Sequence, residues 1–214
     1  MTRPRRLVLE VGTAPGVGKT RVGAALLAGV RRADPGAQVA ARKPVQSFEP
    51  ADAEPTDADV LAAATGEDPY VVCPAHRWLP VAVAPPMAAD DLGLEPFTVA
   101  ELIDELAWPE PQPDLGWIET VGGPRSPMAA DGDAVTMAAL LDPDHIVLIA
   151  DAGLGTINAC LLALAPLSHW QATVVLNRFD PTSDLHLRNL GWLRDVEELD
   201  VVVDFDTLAQ RLIT

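Results

Sequence analysis

The chain has few cysteines and no long apolar run. Its 214 residues include two cysteines, Cys73 and Cys160, which lie in unrelated contexts without a CxxC pair, so a disulfide scaffold is not expected. No apolar stretch approaches the roughly 20 residues that a membrane helix needs, and the basic N-terminal residues are not followed by the apolar segment of a signal peptide. The sequence therefore predicts a cytoplasmic protein without a membrane anchor.

Positive charge is also scarce. Fifteen Lys and Arg residues stand against 31 Asp and Glu residues, which gives a formal net charge of −16. A surface of this sign repels the phosphates of nucleic acids and acidic lipids, so we expect no nucleic-acid partner and no membrane surface. Any phosphate that binds must be held locally, by backbone N–H groups and a few placed cations.

The chain has enough hydrophobic residues to form a core. Hydrophobic residues make up 49% of the sequence and charged residues 21%, a balance that excludes a disordered chain. The length corresponds to one large domain or two very small ones. We interpret residues 1–214 as a single domain.

Only two of the fifteen basic residues are lysines, Lys19 and Lys43. An ammonium group is a compact point charge, whereas a guanidinium group is a wide planar fork, so a site that grips one phosphoryl oxygen can require lysine. A chain in which lysine is merely rare is the alternative. We regard both lysines as candidate functional residues.

Short apolar segments alternate with helix-like segments along the chain. The predicted strands are 6–11, 39–43, 115–119, 145–150, 173–177 and 200–203. Helices are predicted from residue 18 to 30 and over 57–65, 98–106, 156–164, 184–198 and 205–213, with 47–56 a surface loop and the proline-rich stretch 69–96 mostly irregular. This alternation predicts a doubly wound α/β fold of the P-loop NTPase type, in which helices cover both faces of a mostly parallel sheet.

A glycine-rich segment, GTAPGVGKT at residues 12–20, lies between the first strand and the first helix. A P-loop occupies this position: backbone N–H groups surround the phosphates, Lys19 reaches the β and γ oxygens, and the Thr20 hydroxyl binds Mg²⁺. The usual pattern has a glycine where this chain has Thr13. A glycine-rich turn without nucleotide is the alternative. The segment predicts a site for ATP and Mg²⁺ whose residues are Thr13, Gly16, Val17, Gly18, Lys19 and Thr20.

Further polar residues follow the next strands. Lys43 ends the second strand, at the edge of a parallel sheet where ligands bind. Asp57 and Asp59 open the next helix, and Glu119 ends the third strand, so a carboxylate from each segment could converge on the Mg²⁺ that Thr20 presents. For Asp57 the alternative is an ordinary acidic residue that interacts with the helix dipole.

Taken together, these segments resemble one enzyme family. GTAPGVGKT, KPVQS, a DADVL helix start, IETVGGPRSP, DAGLGTINA and VLNRFD have the order and spacing of dethiobiotin synthetase, over nearly the whole chain. That family uses ATP to carboxylate 7,8-diaminononanoate with CO₂ and to close its ureido ring in biotin synthesis. The resemblance implies a homodimer with the substrate site near the subunit interface.

The resemblance also implies individual roles. Lys19 and Thr20 match the phosphate and Mg²⁺ residues, and Asp59 and Glu119 match the metal-binding carboxylates. Lys43 and Ser47 match the residues that hold the carbamate, and Asn177 matches the asparagine that reads adenine. The remaining substrate residues implied are Gly122, Gly155, Thr156 and Asn158.

The chain departs from the family pattern at several positions, among them Ala14, Pro15, Thr120, Arg125 and the segment 203–204. These departures concern the nucleotide base and the identity of the amine. Two alternatives therefore stay open: a related P-loop ligase that acts on a different amine or carboxylate, and a regulatory ATPase of the partition type. Partition ATPases usually carry a second lysine early in the loop, where this chain has Ala14.

Overall fold

The computed structural model describes residues 3–213. The strands, in chain order, are β1 (Arg6–Gly12), β2 (Val39–Arg42), β3 (Gln46–Ser47), β4 (Trp78–Leu79), β5 (Leu115–Glu119), β6 (Pro127–Ala129), β7 (Gly132–Asp133), β8 (His145–Asp151), β9 (Ala172–Asn177) and β10 (Val201–Val202). The helices are α1 (Lys19–Ala33), α2 (Asp57–Thr65), α3 (Pro69–Val72), α4 (Pro85–Asp91), α5 (Val99–Asp104), α6 (Ala134–Leu141), α7 (Thr156–Leu164), α8 (Asp184–Gly191) and α9 (Phe205–Leu212).

The central sheet has six strands in the order β10-β9-β8-β1-β5-β2, and every pairing is parallel. Two apolar clusters cover its faces: Leu26 of α1 and Leu208 of α9 belong to one, and Met137 of α6 and Cys160 of α7 belong to the other. The predicted doubly wound α/β fold is therefore confirmed. None of the helices between residues 3 and 213 is both long enough and apolar enough to cross a bilayer.

Capping boxes open two of the helices. Thr56 and Asp59 form a capping box at the start of α2, and Thr98 and Glu101 form another at the start of α5. In each, the threonine hydroxyl accepts from the backbone N–H three residues on, and the carboxylate accepts from the threonine N–H. Gly66, with φ of +81°, ends α2 in the left-handed conformation that glycine tolerates.

Two sequence expectations need correction, and one part of the fold was not predicted. The stretch 69–96 contains α3 and α4, because Pro85 and Pro86 occupy the first turn of α4, where a missing N–H leaves no bond unmade. The antiparallel pair β6–β7 and helix α6 were not predicted; Asp133 caps α6 by accepting from Val135 N and Thr136 N. The helix predicted over 184–198 ends as α8 at Gly191 and continues as a π-helical turn, Trp192–Val196.

A buried polar chain lies at the amino ends of the strands. His145 Nε2 is 2.9 Å from Thr173 Oγ1, and Thr173 donates its hydroxyl hydrogen to Asp200 Oδ2 at 2.5 Å, so His145 Nε2 is the donor in the first bond. His145 Nδ1 is buried without a partner among the described residues. Burial lowers the pKa of His145. The positive charges of Arg6 and Arg211 lower this pKa further, whereas the carboxylate of Asp200 opposes the shift. His145 is therefore a neutral packing residue.

This arrangement predicts a stability that depends on pH. The unfolded chain binds the His145 proton more readily than the folded chain, so wild-type stability should fall relative to His145→Gln as pH drops from 7.5 to 5.5, by at most about 1.4 kcal/mol per pH unit. Chemical denaturation at several pH values measures the difference. The control is His169→Gln, which removes an exposed imidazole. A difference between wild type and His145→Gln that stays constant over this range would contradict the assignment.

Candidate active site

The glycine-rich segment forms a loop between β1 and α1. Gly16 and Gly18 have φ of +73° and +94°, values that side chains rarely adopt. A Cβ on Gly18 would lie 2.3 Å from Asn177 Nδ2, so glycine is also required for space. No side chain in the described chain caps the first turn of α1. Its N–H groups and the helix dipole therefore present a site for an anion.

Lys19 opens α1 and turns toward the end of β5. Its Nζ donates to Gly122 O at 3.2 Å, so the loop after β5 lies directly against the glycine-rich loop. Burial lowers the pKa of Lys19, as does Lys43, while the carboxylates of Glu119 and Glu10 oppose the shift. A partly desolvated ammonium at the mouth of an anion site is suited to a phosphate oxygen.

A cluster of four side chains lies next to Lys19. Lys43, at the carboxyl end of β2, places Nζ 2.7 Å from Asp57 Oδ2 and 2.7 Å from Glu119 Oε1. Thr20 Oγ1 is 2.6 Å from Asp57 Oδ1 and 3.0 Å from Glu119 Oε1. We call Thr20, Lys43, Asp57 and Glu119 the Lys43 cluster. The structure thus brings together residues from α1, α2 and β5 and the residue that follows β2.

The charges of Lys43 and Asp57 stabilise each other, whereas burial disfavours the charge of Glu119. Burial would lower the pKa of Lys43, but Asp57 and Glu119 outweigh it and raise the pKa above its ordinary value, so the ammonium stays charged. Burial likewise raises the pKa of Asp57, yet Lys43 and the Thr20 hydroxyl lower it to about 2. For Glu119 burial prevails, and its pKa is raised although Lys43 opposes the shift.

One buried acid beside this cluster was missed by the sequence analysis. Glu10 lies on β1 directly opposite Glu119 of β5, and its side chain is fully buried. Trp117 Nε1 donates to Glu10 Oε2 at 2.9 Å, whereas Glu10 Oε1 has no partner among the described residues. Burial, with a contribution from Glu119, raises the pKa of Glu10 well above its ordinary value. A glutamate within an otherwise apolar strand was the signal that could have found it.

Comparison with known proteins gives consistent matches. The sequence profile of a family described as an AAA domain matches residues 6–202. The ATP-dependent dethiobiotin synthetase BioD of Haloferax mediterranei is 36% identical over 173 residues, which cover 79% of this chain and 71% of the relative. The BioD of Anaeromyxobacter dehalogenans strain 2CP-C is 34% identical over 184 residues, which cover 84% of this chain and 79% of the relative. The chain belongs to the dethiobiotin synthetase family.

A solved structure also aligns with the chain. The septum site-determining protein MinD of Pyrococcus horikoshii OT3, in complex with Mg-ADP, covers 97% of this chain and 77% of its own, at 18% identity and a TM-score of 0.47. A likeness this distant does not inform the activity.

The structure corrects which aspartate reaches the cluster. The resemblance to dethiobiotin synthetases assigned a metal-binding role to Asp59, but Asp59 Oδ2 accepts from Thr56 N at 2.9 Å and from Thr56 Oγ1 at 2.8 Å in the capping box of α2. Asp57, two residues earlier, points to Thr20 and Lys43 instead. A helix turns by about 100° per residue, so the two carboxylates face different directions.

The oxygen atoms of the cluster suit the magnesium that an ATP-dependent dethiobiotin synthetase would use. Thr20 contributes a hydroxyl, Asp57 and Glu119 contribute carboxylates, and Glu119 Oε2 is buried without a partner among the described residues. Mg²⁺ prefers oxygen ligands and commonly binds one or two carboxylates together with substrate phosphates and water. Residues 3–213 contain no group of three His, Cys, Asp or Glu side chains arranged for a metal ion, so Thr20 and the phosphates would complete the set.

The remaining predicted residues lie in other elements: Ser47 ends β3, Asn177 ends β9, and Thr156 and Asn158 belong to α7. Ser47 donates to Val83 O at 2.5 Å, which ties β3 to the segment before α4. Gly155, with φ of +92°, precedes Thr156, the buried first residue of α7, and Asn158 follows two residues further along this helix. Asn177 Nδ2 donates to Val17 O at 2.8 Å and so contacts the glycine-rich loop. Within the described residues, no hydrogen bond joins these side chains to the Lys43 cluster.

The departures from the family pattern also have structural partners. Arg125 pairs with Asp133, whose carboxylate caps α6, at 3.0 Å, so it anchors the loop that follows Gly122. Asp204 caps α9 by accepting from Asp206 N at 3.1 Å. Thr120 donates to Glu10 O at 2.8 Å. Each of these residues has a local structural contact.

The buried Glu10 predicts an unusual pH dependence. Above about pH 4.5 the unfolded chain loses the Glu10 proton while the folded chain retains it, so folding becomes less favourable as pH rises. Glu10→Gln cannot ionise and keeps an acceptor for Trp117, so its stability relative to wild type should increase from pH 5 to pH 8, by up to about 1.4 kcal/mol per unit. Urea denaturation measures this, with the exposed Glu95→Gln as control. Parallel profiles for Glu10→Gln and wild type would refute it.

Proposed function

We propose that the protein is an ATP-dependent dethiobiotin synthetase that converts 7,8-diaminononanoate and CO₂ to the cyclic urea. The observation that carries the proposal is the Lys43 cluster with Lys19 beside it: two lysines, a hydroxyl and two carboxylates lie next to the glycine-rich loop at one edge of a parallel sheet. Membership of the dethiobiotin synthetase family supports the choice of reaction.

The proposed chemistry has three steps. An amine of the substrate attacks CO₂ and loses a proton, which gives a carbamate. A carbamate oxygen then attacks the γ-phosphorus of ATP, and ADP leaves as the new P–O bond forms. Finally, the second amine attacks the carbamate carbon, loses its proton and displaces phosphate, which closes the ring. The protein must position the reactants and neutralise the charge that develops as one anion approaches another.

The residues of the site divide these tasks. Lys19, the N–H groups of the loop and the start of α1 would bind the phosphates. Thr20, Asp57 and Glu119 would hold Mg²⁺, which supplies positive charge to the β- and γ-phosphates when bound. Lys43, kept protonated by its two carboxylate neighbours, is the cation that we assign to the carbamate, together with Ser47, four residues further along the chain. Asn177 is assigned to the adenine ring.

We also propose a cytoplasmic homodimer in which the loop after β8 receives the carboxylate tail of the neighbouring subunit's substrate. Gly155, Thr156 and Asn158 lie at the start of α7, and the N-terminus of a helix suits a carboxylate. Leu154 in the same loop is 91% exposed, an apolar side chain that a partner subunit would cover. Gly122 is assigned to the substrate side of the loop that contacts Lys19.

Phosphate release tests the proposed reaction. With ATP and Mg²⁺ present, phosphate should appear only when both diaminononanoate and bicarbonate are added. One phosphate should be released for each molecule of cyclic urea that mass spectrometry detects. A partition-type ATPase would release phosphate without the diamine. A related ligase would release phosphate with another amine and not with this one. Either result would reject the proposed substrate.

The two aspartates of α2 provide a matched pair of variants. Asp57→Asn removes a carboxylate from Thr20 and Lys43, so turnover at saturating ATP should fall about a hundredfold or more. Asp59→Asn weakens only the capping box and should keep turnover within about twofold, at a cost of about 1 kcal/mol in stability. Steady-state rates and thermal melts of both variants separate the effects. Equal losses of turnover in the two variants would show that Asp59 takes part in the active site.

A further inference from the structure

Arg178, the residue after β9, has an unusual backbone. Its φ is +56°, in the left-handed region that a long side chain rarely adopts. Its N–H is held by Asn177 Oδ1 at 2.9 Å. Strain of this kind persists where surrounding contacts determine it, and it concentrates at functional sites.

The guanidinium group of Arg178 joins two elements. Nη2 donates to Gly16 O, in the glycine-rich loop, at 2.9 Å, and Nη1 pairs with Asp151 Oδ2 at 2.8 Å. The other carboxylate oxygen of Asp151, the last residue of β8, accepts from Gly153 N at 2.9 Å. The bond from Gly153 thus holds the Asp151 carboxylate in place, and this carboxylate in turn orients the guanidinium group of Arg178.

Two side chains bond to successive carbonyl groups of the glycine-rich loop. Arg178 holds the carbonyl of Gly16, and its neighbour Asn177 holds the carbonyl of Val17 at 2.8 Å. Because a peptide unit is planar, fixing a carbonyl oxygen also fixes the direction of the N–H on the following residue. The N–H groups concerned are those of Val17 and Gly18, within the segment that surrounds phosphate in a P-loop.

Stability alone does not explain this arrangement. The side chain of Arg178 is 58% exposed and that of Asp151 is 45% exposed. Exposed ion pairs contribute little to folding, and the left-handed backbone at Arg178 opposes it. The contact that remains to be explained is the one to the glycine-rich loop.

We propose that Arg178 is a positioning residue for nucleotide binding, which acts with Asp151 to hold the glycine-rich loop in its phosphate-binding shape. Arg178 reaches the loop on the side of its carbonyl groups and acts through the loop backbone. The proposal rests on the proposed function only in that the loop binds a nucleotide. It requires neither the diamine nor ring closure.

The test is the affinity for Mg-ADP, measured by calorimetry without the diamine. Arg178→Asn removes the guanidinium group and keeps a residue that tolerates the left-handed conformation. We expect about tenfold weaker binding, a thermal midpoint close to that of wild type, and a KM for ATP raised by the same factor with kcat little changed. Asp151→Asn should weaken binding less, and the double variant should bind no more weakly than Arg178→Asn alone.

Arg188→Ala is the matched control. The substitution breaks an exposed ion pair of 2.8 Å with Asp184 on α8. Neither residue bonds to the glycine-rich loop in the described structure, so the affinity for ADP should stay unchanged. Arg178→Lys should restore part of the affinity, because an ammonium can reach one of the two partners.

Two results would overturn the proposal. Wild-type affinity for Mg-ADP in Arg178→Asn would show that the loop needs no such support, and a lowered thermal midpoint with unchanged affinity would make Arg178 a structural residue only. If Arg178→Asn does not fold, the affinity of Arg178→Lys decides. Failure of wild type to turn over the diamine, with ADP binding still sensitive to Arg178, would reject the proposed reaction and leave this inference standing.

Discussion

The ion pairs of Lys43 with Asp57 and Glu119 determine the geometry of the site. A buried ammonium is costly unless it is paired, and Lys43, 2% exposed, lies 2.7 Å from both carboxylates. These contacts fix the start of α2 against the ends of β2 and β5, and the Thr20 hydroxyl of α1 lies within hydrogen-bonding distance of the same two carboxylates. Removing either carboxylate would leave Lys43 with one counter-charge and Thr20 with one partner.

The order of the strands makes this convergence possible. β1 leads into the glycine-rich loop, β5 lies beside β1, and β2 lies beside β5, so three parallel strands deliver Lys19, Glu119 and Lys43 to one edge. Parallel strands require crossover helices, and α1 both connects β1 to β2 and begins at the phosphate site. The binding site is thus a direct result of the fold.

The sequence predicted the parts that depend on local pattern: all six central strands, the glycine-rich loop, and the positions of Lys43 and Glu119 at strand ends. The residue pattern left both Asp57 and Asp59 open and the resemblance favoured Asp59, but the capping box of α2 turns the Asp59 carboxylate away from the cluster. Arg178 was also missed, since its role depends on contacts with Gly16 and Asp151, which are distant in sequence. The lone acid Glu10 was visible within β1, but its neighbour Glu119 came from another strand.

In the proposed reaction, this site transfers the γ-phosphoryl group of ATP to a carbamate formed from CO₂. The direct measurement is the origin of the oxygen atoms in the released phosphate. With bicarbonate labelled with ¹⁸O and short reaction times, each turnover in the presence of diaminononanoate should place one labelled oxygen in phosphate, because the carbamate oxygen that attacks phosphorus leaves with it. Phosphate that carries no label from bicarbonate, and takes its fourth oxygen from water, would contradict the account.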